Sequence, residues 1–293
     1  MKKLLLVSAL GVSLLAACNT TPAVGNKPMT QSTADGLKLV APGFVSATVN
    51  GFRERDQAQQ ASERARIQAG PGCTFSASGN TADADKDKVP VSLSAAYTNC
   101  ALDYLAVYAV KNGSASIADD DDNNPKSGFT TKATNLGVTY YTKNGSALGN
   151  PLLAFVNSWD FNLKNVNDNY TVAYKYDATL TTYVQGSSTP DKTFKLGLSA
   201  NGSYVPANDG DTDNFNAGTI NFAGNITYTN DKNEVFVLNL TYTNLTFDAS
   251  CKDGPTGGKV RFDDGTNNNF LEAVYTSCNK GTLQFNTTAK TNF

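Results

Sequence analysis

Runs of aspartate are the residues best placed to do chemistry. Asp209-Gly-Asp211-Thr-Asp213-Asn214 sets carboxylates at alternate positions, Asp119-Asp-Asp-Asp122-Asn123-Asn124 packs four together, and Asp263-Asp264-Gly265 adds a third acidic loop. Hard oxygen donors at alternate positions suit Ca²⁺. Asp209, Asp211 and Asp213 occupy the first three ligand positions of an EF-hand-like loop, which makes them a weak calcium candidate and Ca²⁺ the one cofactor the chain suggests. The match then fails, because Asn214 stands where the loop needs glycine and Ile220 where it needs a bidentate Glu. A solvated turn between strands explains the same residues.

Histidine is absent. That excludes Ser-His-Asp and Cys-His catalysis, imidazole acid–base chemistry and every His-ligated metal site. Paired carboxylates, as in glycoside hydrolysis, are the enzyme chemistry that survives. Most acids stand in Asp-rich turns, and Asp160, Asp177, Glu234 and Glu272, on or beside predicted strands, are read onto polar faces. No catalytic residue is assigned, and the chain is read as a non-enzyme. With 24 basic and 26 acidic residues it has no cationic excess, which argues against nucleic acid as a partner.

The cysteines carry a repeat. Leu93-Ser-Ala95-Ala-Tyr97-Thr98-Asn-Cys100 matches Leu271-Glu-Ala273-Val-Tyr275-Thr276-Ser-Cys278 at five of eight positions. Cys73 precedes Cys100 by the same interval that separates Cys251 from Cys278. Two bridges are predicted, Cys73–Cys100 and Cys251–Cys278, one in each copy of a related hairpin unit spanning 73–100 and 251–278. Pairings that link the two copies are the alternative. The favoured role is a structural staple in an oxidising compartment.

The elements that must position these groups are strands. From residue 89 onward apolar and polar residues alternate. Leu153, Phe155, Trp159, Phe161 and Leu163 share one face of 152–163, and Tyr170, Val172, Tyr174, Tyr176, Leu180 and Val184 one face of 170–184. Segment 192–200 follows. Segments 218–229 and 234–247 form the clearest hairpin, turning at Asn230-Asp231-Lys232-Asn233. Asp outnumbers Glu by 22 to 4, and Asn and Thr are abundant, as strands and turns require. The fold class is all-β: a long-stranded antiparallel meander, either a curved sheet or an up-and-down barrel. Strands of a dozen residues span about 40 Å, long for a small sandwich. One short N-terminal helix is predicted over 52–68, with a short strand before it at Phe44 to Val49. Arg53, Arg55, Arg64 and Arg66 lie on that helix among Glu54, Asp56 and Glu63, as a solvated face would have them.

The chain starts Met1-Lys2-Lys3, followed by an apolar run from Leu4 to Ala17 and then Cys18. This is the pattern of a secretory signal. Leu15-Ala16-Ala17-Cys18 resembles the lipobox of bacterial lipoproteins. The resemblance implies removal of 1–17 as a signal peptide and lipidation of Cys18, with acyl chains holding the protein to a membrane. It also implies, with Asn19 after the cysteine, passage to the outer membrane of a Gram-negative cell envelope. Residues 18–37 read as the lipidated Cys and a flexible polar tether, and 38–293 as a single β-rich domain. The leading functional expectation is a membrane-anchored envelope lipoprotein acting as a non-catalytic binding or structural module, its protein or small-molecule ligand unknown. The alternatives are a carrier of an apolar small molecule inside a partly closed barrel, and a carboxylate-dependent carbohydrate-active enzyme. A hollow interior marks the carrier and a filled one the module.

Overall fold

Period-two alternation becomes strand after strand. The computed structural model describes residues 28–31, 34, 45, 48–49, 73–87, 89–103, 107–145, 147–167, 169–207, 217–229, 234–251, 254–265 and 269–293. Among them the strands are β1 (Thr74–Asn80), β2 (Ser92–Asp103), β3 (Val107–Asp119), β4 (Phe129–Asn144), β5 (Ala147–Val166), β6 (Asn169–Tyr183) and β7 (Pro190–Pro206). They continue as β8 (Gly218–Thr229), β9 (Val235–Phe247), β10 (Gly257–Asp263), β11 (Phe270–Ser277), β12 (Lys280–Phe285) and β13 (Thr291–Asn292). Each pairs antiparallel with its chain neighbour, so one sheet of 13 strands is ordered β1 to β13 as a meander. The sheet does not close: β1 pairs with β2 alone and β13 with β12 alone. Closure into a barrel needs two long facing edges, and β13 offers two residues.

Alternation sorts the faces. Phe161, Leu163, Tyr170, Val172, Tyr204, Ile220, Phe222, Leu238, Leu240, Val260 and Phe262 are buried and belong to one core. Trp159 packs against it, and its indole N–H donates to Thr131 Oγ1 at 3.3 Å. The burial pattern corrects one expectation: Glu234 is 1 % exposed, not on a polar face. Its parity is that of Phe236 and Leu238, which point to the core.

The same core takes in residues from far upstream. Met29, Ala34, Val45, Thr48 and Val49 are buried. Met29 and Ala34 lie within the stretch read as a tether, so the chain joins the fold before residue 38. Val45, Thr48 and Val49 are helical, which corrects the strand expected at 44–49. A spacing of three and four residues puts all three on one helical face, and that face meets the apolar side of the sheet. Two hydrogen bonds fasten this segment: Met29 N–H donates to Asp264 Oδ2 at 2.6 Å, and the Thr48 and Tyr242 hydroxyls lie 3.1 Å apart. The helix expected at 52–68 lies outside the described residues, as do residues 1–27.

Both bridges form as the spacing predicts, Cys73–Cys100 and Cys251–Cys278, each across 27 residues. The duplication behind them is looser than the sequence suggests. Tyr97 pairs with Phe75, two residues after Cys73, whereas Tyr275 pairs with Gly258, seven after Cys251. Moreover, β2 and β11 are separated by an odd number of steps in an antiparallel meander, so the matched segments run in opposite directions. Cys73–Cys100 therefore sits at the β2–β3 end of the sheet, and Cys251–Cys278 at the β1–β2 end.

Bulges bend the long strands, and a short motif marks them. Thr98-Asn99-Cys100, Thr134-Asn135-Leu136 and Thr243-Asn244-Leu245 each put the Asn at positive φ, and register breaks there. Each Asn backbone N–H is taken by a side chain of a neighbouring strand: Asn112 Oδ1 at 2.8 Å, Ser158 Oγ at 2.9 Å and Asn221 Oδ1 at 2.7 Å. The extra residue shifts the inward position from two to three steps on, so Tyr97 and Cys100, or Tyr242 and Leu245, are both buried.

Candidate functional site

A meander places the β1–β2 and β3–β4 connections at the same end of the sheet. That brings Asp119 to Asp122 against a second acidic run, Asp83-Ala-Asp85-Lys-Asp87. Carboxylate oxygens of Asp83, Asp85 and Asp87 lie within 4.8 Å of one another, and so do those of Asp85, Asp119 and Asp122. Local turns hold the loops in shape. Asp85 Oδ1 accepts from Asp87 N–H at 3.2 Å, and Asp87 Oδ1 from Val89 N–H at 2.7 Å. Asp122 Oδ1 reaches across to Ala84 N–H at 2.9 Å, joining the two loops. Asp119 Oδ1 accepts from Ser127 Oγ at 2.6 Å. The remaining oxygens of Asp85 and Asp119 are buried and have no hydrogen-bond partner.

Crowded carboxylates resist ionisation. Burial is the main cause that raises the Asp85 carboxyl above its ordinary range, and the charges of Asp119 and Asp83 add to it against the bond from Asp87. Burial likewise raises Asp119, opposed by its bonds from Ser127, Asp121 and Asp120. Asp120 is raised by burial and lowered in part by Lys164. The all-oxygen donor set has the chemistry of a hard cation's ligands.

Of the expected acidic loops, Asp119 to Asp122 thus gains neighbours that sequence reasoning missed. The missed signal was the alternation at 83, 85 and 87, the same pattern noted at Asp209, Asp211 and Asp213. The latter three lie outside the described residues. The loop at Asp263 and Asp264 supports the fold, since Asp264 is buried and holds Met29 N–H and the Asn269 side chain. Asp160 pairs with Lys132 at 3.3 Å.

A depression of about 470 Å³ lies on the opposite, outer face of β6, β7 and β8, lined by residues such as Lys175, Asp177, Lys195 and Thr227. The inner side holds the core and the residues of the N-terminal segment. Among the described residues no helix is long and apolar enough to cross a membrane. No protein-family model matches the chain, and no curated protein or solved structure matches it either.

Proposed function

We propose that this protein is an exported bacterial envelope lipoprotein, held to the membrane through lipid on Cys18, that serves as a non-catalytic binding or structural module. The observation that carries this reading is the burial of upstream residues of the chain itself against the apolar side of the sheet. A carrier keeps a hollow for its cargo. Here Met29, Val45 and Val49 of the chain itself belong to the core, and Thr48 is buried with them. The signal-like Met1 to Ala17 and the Leu15-Ala16-Ala17-Cys18 motif support the address, and two bridges suit an oxidising compartment.

Intact-mass spectrometry of the protein from its native membrane tests the anchor. The expected species begins at Cys18 and carries acyl chains. An unmodified Cys18, or retention of residues 1–17, overturns it. Native mass spectrometry of the same sample tests the occupied interior, and a stoichiometric apolar ligand would put the carrier in its place.

A further inference from the structure

The chain enters the fold at one end of the sheet. In a meander, connections that follow even-numbered strands share one end, and those that follow odd-numbered strands share the other. Strands from β2 to β12 contribute to one core, and a sheet this wide curls about its buried face. The even connections therefore lie along one rim and the odd ones along the opposite rim. Met29 N–H is fastened to Asp264 Oδ2 at 2.6 Å, on the connection after β10, so it marks the even rim. Cys18 stands eleven residues upstream of Met29, and eleven extended residues reach at most about 40 Å. Strand β6, with 15 residues, runs about 50 Å from rim to rim. A bilayer beside the even rim is within a slack tether of Cys18, whereas one beside the odd rim takes all of that tether.

The residues of the even rim suit lipid. Leu148 at 48 %, Leu152 at 37 % and Val184 at 45 % are exposed there, three of the five large apolar side chains that the described residues leave in solvent. Leu148 and Leu152 lie at the start of β5, and Val184 just past the end of β6. Tyrosines gather with them. Tyr108 at the start of β3 pairs with Tyr141 near the end of β4, Tyr141 pairs in turn with Pro151 of β5, and Tyr183 ends β6. All three tyrosines are partly exposed. In the sequence, the residues that join β2 to β3 are Tyr104, Leu105 and Ala106, where a solvated turn carries Gly, Asn or Asp. Tyrosine, with one apolar and one wet end, is enriched at membrane interfaces, and leucine favours the layer beneath. The acid closest to these residues in the register, Asp103, is paired with Lys143. The odd rim is the opposite. It carries Asp83, Asp85, Asp87 and Asp119 to Asp122, which an anionic bilayer surface repels. The other two exposed apolar side chains, Val166 and Val205, are on that rim, as single surface residues commonly are.

We infer that the even rim around the β4–β5 hairpin is a membrane-docking surface. Leu148, Leu152 and Val184 enter the headgroup layer of the bilayer that holds the lipid anchor, Tyr108, Tyr141 and Tyr183 sit at its boundary, and the acidic loops face away from it. Each such contact is weak alone, but the anchor keeps the rim at the surface and makes the second contact an intramolecular one. The inference rests on the lipid-anchor reading and adds an orientation to it, which puts the cluster of Asp85 and Asp119 a strand's length from the lipid.

Quenching of tryptophan by brominated lipid tests it. The full chain, purified from its native membrane, is added to vesicles of dioleoyl phosphatidylcholine or of its dibrominated form. Leu148→Trp reports the even rim and Val205→Trp the odd rim, and the parent, whose Trp159 packs against the core, gives the background. Brominated lipid is expected to quench Leu148→Trp several-fold more than Val205→Trp. With Val184→Trp as the reporter, Leu148→Asp together with Leu152→Asp is expected to cut its quenching several-fold at an unchanged urea midpoint, because both side chains are exposed. Equal quenching at 148 and 205, none at 148, or full quenching at 184 despite the two aspartates overturns the inference. The intact mass of the same samples reports the anchor separately. Acyl chains on Cys18 without quenching at 148 remove the docking surface and leave the anchor standing, and Cys18 without lipid removes both.

Discussion

Replacing Thr48 by Val tests whether the N-terminal segment is seated in the core. Thr48 is 3 % exposed and Tyr242 2 %, and their hydroxyls are 3.1 Å apart although 194 positions separate them. Burial pushes the Tyr242 phenol far above its ordinary range, so it stays a neutral hydroxyl at any working pH. Thr48→Val keeps the shape and removes the oxygen, leaving the buried phenol without this partner at a cost of about 1–3 kcal/mol. The extra buried methyl returns up to about 1 kcal/mol, so the net loss is about 1–2 kcal/mol. Tyr242→Phe removes the same bond from the other side, at about 1 kcal/mol. The double variant leaves no orphaned group from this pair and is expected to lose less than the sum of the singles, with a coupling of about 1 kcal/mol. Urea unfolding followed by fluorescence of Trp159, the only tryptophan, reads the transition. Additivity to within about 0.3–0.5 kcal/mol would show that Thr48 and Tyr242 do not touch, and the case for a self-occupied interior would fall.

Further outcomes can be checked on the same unfolding assay. Gly113→Ala adds a Cβ that collides with Asn135 O at positive φ, and is expected to destabilise by more than about 2 kcal/mol, whereas Gly197→Ala, at ordinary φ and 3.3 Å from the Asp177 carboxylate, changes stability by less than about 1 kcal/mol. Equal effects would refute the bulge assignment. Removing the Cys251–Cys278 bridge as the double Ser variant is expected to cost about 3 kcal/mol, and an unchanged urea midpoint would argue against it. The folded-state carboxyls of Asp85, Asp119 and Asp120 titrate above 3.8, so the folded chain binds more protons than the unfolded chain in the window just above pH 3.8. Their contribution to stability therefore falls as pH rises through that window, and the penalty is complete above the folded-state values. Asp85→Asn is expected to melt higher than the parent at pH 7, with the difference shrinking toward pH 4; a lower or pH-independent melting point refutes the crowding.

The strands were legible because one face of each is buried and the other is not. The hairpin of β8 and β9 falls within a residue of its expected limits for that reason. Cysteine pairing was legible through a repeat, but the opposed directions of β2 and β11 were not. Direction depends on how many strands intervene, and the short edge strand β1 shows weak alternation. The helical residues Val45, Thr48 and Val49 were misread because a short β-branched segment satisfies both periods, and only its packing partner decides. The bulges had a signal in the recurring Thr-Asn pair followed by Leu or Cys, hidden because a pure two-residue period treats them as errors. The acidic cluster was half legible: each run is visible, whereas their meeting follows from connection parity.

Anchorage of Met29 on the β10–β11 connection and of Thr48 on β9 sets the path of mechanical force. An open meander pulled at its edge strand unzips one pair of hydrogen bonds after another. Tension on the chain upstream of residue 28 reaches Met29 first, then Thr48, both held deep among the later strands. Only after those contacts yield does it arrive at Cys73, where a covalent bridge already ties the start of β1 to β2. A tug from the N-terminal side thus meets the later strands of the sheet before its first edge.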